Sequence, residues 1–552
     1  MSNGTALGAE WVTTRLRRAG LAVDAVRMRL LTPVTVSSRM QAETGEGDWS
    51  FLHRPAILGF VAVVAICAGA SRPSSPFKLE MTGTWFFGEP GSSAGSQFLL
   101  LPGVVAVYGG MVLLTRVWYG LLQNLRVRPG VPVSKLMWMF ALWVLPLLVV
   151  APLFSRDVFS YAAQGEMMSH HINPYLYGPG SIGSGPYIAP VDPLWLNTPA
   201  PYGPLFLMVD GWFASLSGHD ARITVFFLRL LSVLGVVLIA YCVPKLARAH
   251  GRDHGPAFVL AVLNPLTLLA LIGGAHNDAI MVGLLLAGIT AAKYRHPVVG
   301  VVLCTMAAAI KVPAAMGIIY VAWQWTPSGA SVAASGWRRR VRPVTLTALV
   351  ALVVMGALSL ASGLGFGWIF NLGAPGTVRS WMAPATAVGF LVSGALHAIG
   401  LGVGLGGVLT ITRAFGLMGA AAIAVVCLRR AESYGYLWAL GMSLLMFVLL
   451  GPVVQPWYLT WGVVMFAPVL VQGLTRAFVI GLSVGASFIG LTGGEQLLSE
   501  LVHANPIAMV LAVAVLWGVA VMPIGRWNSW PIDPARIKSA LSGPVTPEAA
   551  FD

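Results

Sequence analysis

Acidic residues are what this chain of 552 residues most lacks. It holds 20 Asp and Glu against 34 Lys and Arg, with none at all between Asp278 and Glu432. Charged residues make up 10% of the chain, where a soluble protein carries about 25%. That shortage, with 57% hydrophobic residues and a mean hydropathy of +0.78, excludes an ordinary soluble domain. It indicates an all-α polytopic membrane protein. Cysteines are also few. Cys67, Cys242, Cys304 and Cys427 lie inside apolar runs without CxxC or Cys/His spacing, so they read as buried thiols, not disulfides or zinc ligands. There is no internal repeat, no Walker A sequence and no GxGxxG between a strand and a helix. The apolar, glycine-rich run 400–408 reads as a surface for close helix packing.

The net charge of +14 does not point to nucleic acid. Basic residues cluster between apolar runs, as at Arg126/Arg128/Lys135, Lys245/Arg248/Arg252, Arg338–Arg340 and Arg429/Arg430. Lys and Arg mark cytoplasmic loops in this way. Residues 1–54 read as a cytoplasmic basic arm and 527–552 as a cytoplasmic tail, with a transmembrane domain over 55–526. No signal peptide is expected, because the first apolar run follows about fifty polar residues.

Spans are expected near 55–71, 97–119, 134–154, 222–247, 256–273, 276–293, 297–310, 312–325, 343–362, 402–428, 434–452, 457–472, 475–492 and 507–524. The apolar pieces 204–218 and 386–400 are short for a crossing. With the amino terminus inside and both pieces non-spanning, every basic cluster falls on the cytoplasmic side. The consistent count is about fourteen spans, with roughly thirteen to fifteen compatible. The pair 297–310 and 312–325 is its weakest part. A large loop, 155–203, then lies outside, with a second outer segment at 363–401.

This topology collects the polar oddities on one face. Asp157 opens the large loop, in "FSRDVFSYAAQGEMMSHHINPY". His276, Asn277 and Asp278 form the turn "GGAHNDAI", where Gly273-Gly274 already supply a turn. Lys311 sits at a hairpin tip, Arg379 and Trp381 on the second loop, and Gln455, Trp457 and Tyr458 in "VVQPWYLTW". A helix from Asp157 with Val158, Tyr161, Ala162 and Gly165 on one face is expected to be amphipathic and to lie on the membrane surface. Asp157 then either caps that helix or acts as a catalytic carboxylate; capping would also keep it ionised. His276 and Asp278 are loop polarity or site residues. Lys311 is costly at such depth, by about 2.5 kcal/mol or more, unless it reaches water or an anion such as a lipid phosphate. His170 and His171 read as loop features.

Taken in order, "SRDVFSYAAQG", "NPY", "PYGPL", "GGAHNDA", "IKVPA", "VRSWMAP" and "QPWYLTW" resemble the MptA/MptB family of polyprenol-phosphate-mannose-dependent mannosyltransferases of mycobacteria and corynebacteria. The similarity runs from about Phe51 to Arg526. The resemblance implies a GT-C type membrane glycosyltransferase in the plasma membrane, acting on its extracytoplasmic face. It takes mannose from β-linked polyprenyl (decaprenyl) phosphate mannose and extends the α-(1→6)-mannan backbone of lipomannan and lipoarabinomannan on a mannosylated phosphatidylinositol. The MptB branch is the nearer match, and distal elongation of the MptA kind is the alternative. Carried over residue by residue, Asp157 is the catalytic base. By their own chemistry, beside the resemblance, Lys311, Arg379 and His276 suit the donor's phosphate, and Asp278 suits orienting the sugar hydroxyls or acting as the base instead. Tyr161, Tyr202, Trp381, Gln455, Trp457 and Tyr458 contact the acceptor, sugar or prenyl chain. No metal ligand is assigned, although a divalent cation shared by Asp157 and Asp278 stays open. A flippase of a lipid-linked sugar is the reading from another class; it predicts repeats and midplane charges, which the sequence does not show.

Overall fold

The computed structural model describes residues 49–71, 100–325, 338–470 and 473–491, and among these the chain is all-helical without strands. Residues 1–48 of the expected basic arm, the span near 507–524 and the expected tail lie outside the described residues. Helices α1 (His53–Ala70), α2 (Leu100–Val127) and α3 (Val133–Val149) open the bundle. The large loop follows, carrying α4 (Asp157–Ser169) and α5 (Pro204–Leu216). Then come α6 (Ala221–Ala249), α7 (His254–Ala261), a π-helical turn (Thr267–Gly273), α8 (Asp278–Lys293), α9 (Pro297–Ala308) and α10 (Ala315–Gln324). The remainder is α11 (Arg338–Ala361), α12 (Pro384–Ala398), α13 (Leu405–Arg429), α14 (Tyr436–Leu450), α15 (Thr460–Phe466) and α16 (Leu474–Ile489).

Five of the described helices are long and apolar enough to cross a membrane: Ser50–Ala70, Pro102–Val127, Ala221–Ala249, Val341–Ala361 and Leu405–Arg429. The π-helical turn and α8 pass the same test as a pair, bent by 113°. Several other expected spans are broken. The piece 256–273 is interrupted at Asn264-Pro265, where the Asn264 side chain accepts from the Leu266 N–H and donates to Ser483 Oγ. Proline lacks an N–H to continue the ladder, and Asn264 replaces part of it. The pair 297–310 and 312–325 forms two short helices on either side of Lys311, as expected, and the described part of 457–472 holds a 3₁₀ turn (Pro456–Leu459) and the short α15. The pieces 204–218 and 386–400 are helices of 13 and 15 residues.

Small residues set the tightest helix contacts. Gly235 of α6 lies on Gly283 and the Ala279 backbone of α8: a Cβ on Gly235 would come within 2.3 Å of the Ala279 carbonyl carbon. Gly288 of α8 and Gly300 of α9 back onto each other in the same way. Such contacts let backbones approach where lipid gives no hydrophobic drive for association. The run 400–408 makes no such contact among the described residues. Nothing among the described residues comes within 4 Å of a Cβ built on Gly400, Gly402, Gly404, Gly406 or Gly407. Its first glycines form a turn, with Gly400 at φ 80°, and the later ones start α13 facing outward.

Helix α4 also departs from expectation. It is buried on all sides from Val158 to Met167, not laid on a surface with one wet face. Helix α5 covers one side, with the Asp210 backbone against Gly165, and α6 covers another. All four cysteines are buried and free, as expected.

Candidate active site

Asp157 is the first residue of α4, not its cap. The cap position is Arg156, and the Asp157 N–H donates to Ser155 Oγ at 3.2 Å. Its carboxylate is therefore not consumed by backbone N–H groups and points into a cluster. His276 Nδ1 lies 3.6 Å from Asp157 Oδ2. The Asp157 side chain is 19% exposed. Burial raises its pKa from 3.8 to about 6, and the Lys311 charge and the Trp195 indole act the other way. Trp195 is presented by a short turn of helix, Pro193–Leu196, capped by Asp192.

Two backbone segments bring Asp157 and the His276 turn together. Leu153 N–H donates to the Gly273 carbonyl at 2.9 Å, so the strand-like lead into α4 runs against the end of the π-helical turn. Arg229, fully buried in α6, donates to the carbonyls of Val150 and Gly273 and so joins both segments. Ser232, one turn further along α6, donates to the His276 carbonyl. The bend itself rests on Ala275 at φ 52°, not on the two glycines before it. Gly274 is required for space: a Cβ there would sit 2.7 Å from the Ala270 carbonyl and 2.9 Å from the His276 ring.

Lys311 reaches the same cluster from the break between α9 and α10. Its Nζ is 3.0 Å from both carboxylate oxygens of Asp278, and Trp461 Nε1 donates to Asp278 Oδ1 at 2.7 Å. The ammonium also lies 4.3 Å from the Tyr458 ring centroid and 6.0 Å from that of Tyr202. Aromatic faces and one carboxylate therefore compensate a lysine that the sequence reads as costly.

The motif "PYGPL" has a positional reason. Gly203 N–H and Leu205 N–H donate to the carbonyls of Ile310 and Ala309, both at 3.0 Å. A Cβ on Gly203 would sit 2.2 Å from the Ala309 oxygen. This close approach sets Tyr202 beside Lys311, and Tyr202 meets Tyr161 of α4 edge-on at 5.1 Å. "NPY" acts as a clasp. Asn173 Oδ1 accepts from Tyr175 N–H, Tyr175 Oη donates to the Tyr202 carbonyl, and Asn371 Nδ2 donates to the Tyr175 carbonyl. The second loop is thereby docked on the first.

Trp457 stacks on His276 with ring centroids 3.8 Å apart, and Gln455 heads the short 3₁₀ turn that carries Trp457 and Tyr458. Among the described residues, both His276 ring nitrogens, the Asn277 amide and Trp457 Nε1 are buried with no hydrogen-bond partner. Buried polar atoms are usually partnered, so this concentration marks a place built to receive polar groups from elsewhere.

Asp157, Tyr161, Tyr202, His276, Asp278, Lys311, Trp457 and Tyr458 thus converge. Arg379 and Trp381 do not. Arg413 of α13 donates to the carbonyls of Gly376 and Val378 and ties that loop to α13. Arg379 is exposed, and Trp381, 64% exposed, packs on Phe390 instead. Sequence reasoning missed Arg229 and Trp461. An arginine inside an apolar run was the available signal for Arg229.

Comparison with known proteins shows the family. Residues 56–327 match the model of the α-(1→6)-mannopyranosyltransferase N-terminal domain, and residues 385–522 that of the MptB C-terminal domain. A probable α-(1→6)-mannopyranosyltransferase of Mycolicibacterium smegmatis is 34% identical over 77% of this chain and 81% of its own. α-(1→6)-Mannopyranosyltransferase A of Mycobacterium tuberculosis is 32% identical over 81% of this chain and 86% of its own. α-(1→6)-Mannopyranosyltransferase B of Corynebacterium glutamicum is 30% identical over 80% and 76%. No solved structure matches. The chain belongs to the α-(1→6)-mannopyranosyltransferase family and is a membrane glycosyltransferase.

Proposed function

We propose that the protein transfers mannose with inversion from β-polyprenyl phosphate mannose to the 6-hydroxyl of a mannosylated phosphatidylinositol acceptor. The product is the α-(1→6)-mannan backbone of lipomannan and lipoarabinomannan, made on the extracytoplasmic face of the plasma membrane. The observation that carries this reading is the Asp157 carboxylate, 3.6 Å from His276, in a cluster where the Lys311 ammonium is held by Asp278 and not by Asp157. A β-phosphate that becomes an α-mannoside requires one displacement and one base, unlike the paired carboxylates of glycoside hydrolases. Asp157 accepts the proton of the acceptor's hydroxyl as the new C–O bond forms. Polyprenyl phosphate leaves as an anion and needs a cation rather than a proton. Lys311 has three N–H donors, and its two contacts to Asp278 leave one for a phosphate oxygen. Tyr202, Trp457 and Tyr458 offer faces for sugar or prenyl groups.

The MptB role is proposed on the match of the carboxy-terminal region to the domain of that name. Gene deletion followed by lipoglycan analysis tests it. Loss of the whole mannan fits this role, and a truncated mannan fits distal elongation. An intact mannan precursor accumulating on a lipid carrier would make the protein a flippase.

A further inference from the structure

At the far end of α4 from Asp157, Glu166, His170 and His219 form a cluster that mannosyl transfer does not use. Glu166 Oε1 is 3.0 Å from His170 Nε2, one helical turn on, and Glu166 Oε2 is 2.9 Å from His219 Nδ1. The three donor atoms lie within 4.8 Å of one another. His219 comes from the turn between α5 and α6, 53 residues away, and holds φ 63°, where a non-glycine residue is uncommon. The two imidazoles face each other at 5.6 Å between centroids. Glu166 is buried, with Ser169 Oγ 3.4 Å from its Oε2, while the His170 and His219 side chains are exposed, at 57% and 48%.

We propose that Glu166, His170 and His219 bind one divalent transition-metal ion of the zinc class. Two imidazole nitrogens and one carboxylate oxygen are a ligand set that zinc favours. Ligands about 2.0–2.1 Å from a tetrahedral zinc stand roughly 3.3 Å apart. The two Glu–His pairs are already at 3.0 and 2.9 Å, each on its own carboxylate oxygen, and the exposed imidazoles would turn inward from a spread of up to 4.8 Å to share one ion. A fourth position faces solvent, where water completes the shell. Binding ties the end of α4 to the α5–α6 turn. Asp157 lies nine residues, or about 13–14 Å, along the same helix, so the ion would fix the helix that carries it.

The test uses the full-length protein, purified in detergent and stripped with a chelator, then titrated with Co²⁺ and Zn²⁺. One equivalent of Co²⁺ should bind with a visible ligand-field band that Zn²⁺ displaces. His219→Ala, His170→Gln and Glu166→Gln should each weaken Co²⁺ binding by at least about 100-fold, beyond the loss expected when only a ligand's own hydrogen-bond partner is removed. His171→Ala, the adjacent histidine outside the cluster, should change binding less than about twofold. Zn²⁺ should raise the melting temperature of the parent chain but not of His219→Ala. Absence of stoichiometric Co²⁺ binding to the parent chain, or equal binding by His170→Gln and Glu166→Gln, would overturn the proposal and leave a hydrogen-bonded clasp.

Discussion

Lys311 Nζ stands 3.0 Å from both carboxylate oxygens of Asp278, although 33 residues and a complete helical hairpin separate them in sequence. The pair closes one side of the site. Asp278 has no exposure and Lys311 little, so removing one partner strands a buried charge. Lys311→Met or Asp278→Asn alone should lower stability by about 3–5 kcal/mol, and the double variant by clearly less. Thermal unfolding in detergent with a double-mutant cycle measures this. Additive losses would mean that the two side chains do not act as a pair.

Asp157 predicts the pH response. Its raised pKa of about 6 means the carboxyl is protonated, and unable to accept the acceptor's proton, below that pH. The kcat/KM of mannosyl transfer should therefore rise about tenfold per pH unit below 6 and level off above it. An acid limb near pH 4, the ordinary carboxylate range, would contradict the buried setting of the base.

Arg229 holds the two segments of the site together through carbonyls of both. Arg229→Lys keeps the charge but loses the planar fork. The lysine cannot span both carbonyls; Gly273 keeps the Leu153 N–H, so what is lost is one link between the segments, about 0.5–1.5 kcal/mol. Transfer should fall more than tenfold while membrane insertion persists. Unchanged turnover would show that the two segments hold their register without the guanidinium.

Gly235 and Gly481 form a contrast. A methyl at Gly235 would overlap the α8 backbone just past Asp278, whereas nothing described lies within 4 Å of one at Gly481. Gly235→Ala should destabilise by about 1–3 kcal/mol through overpacking. Gly481→Ala, in an exposed helical position, should stabilise by up to about 1 kcal/mol. Melting curves of both variants distinguish these signs.

Much of this was legible in the sequence because polar residues in an apolar chain are conspicuous. Asp157, Asp278 and Lys311 stand out against their surroundings as candidates, and the structure brings all three into one cluster. What the sequence hid is three-dimensional. Nothing local marks Asp278 as the partner of Lys311, because the contact depends on where α9 breaks. Arg379 looked equivalent to Lys311, yet the clamp from Arg413, 34 residues on, keeps its loop on α13. The burial of α4 was also hidden, since its own periodicity cannot report that α5 and α6 cover its polar side. His170 drops out of a sequence reading because its partner His219 is contributed by a distant turn.

The most direct measurement of the central claim is mannosyl transfer by Asp157→Asn in membranes supplied with polyprenyl phosphate mannose and a mannosylated lipid acceptor. The asparagine keeps the shape of the side chain and cannot take a proton. Turnover should fall by at least about 100-fold, the scale of general-base catalysis, at unchanged expression. Turnover within a fewfold of the parent protein would contradict the assignment of Asp157 as the base.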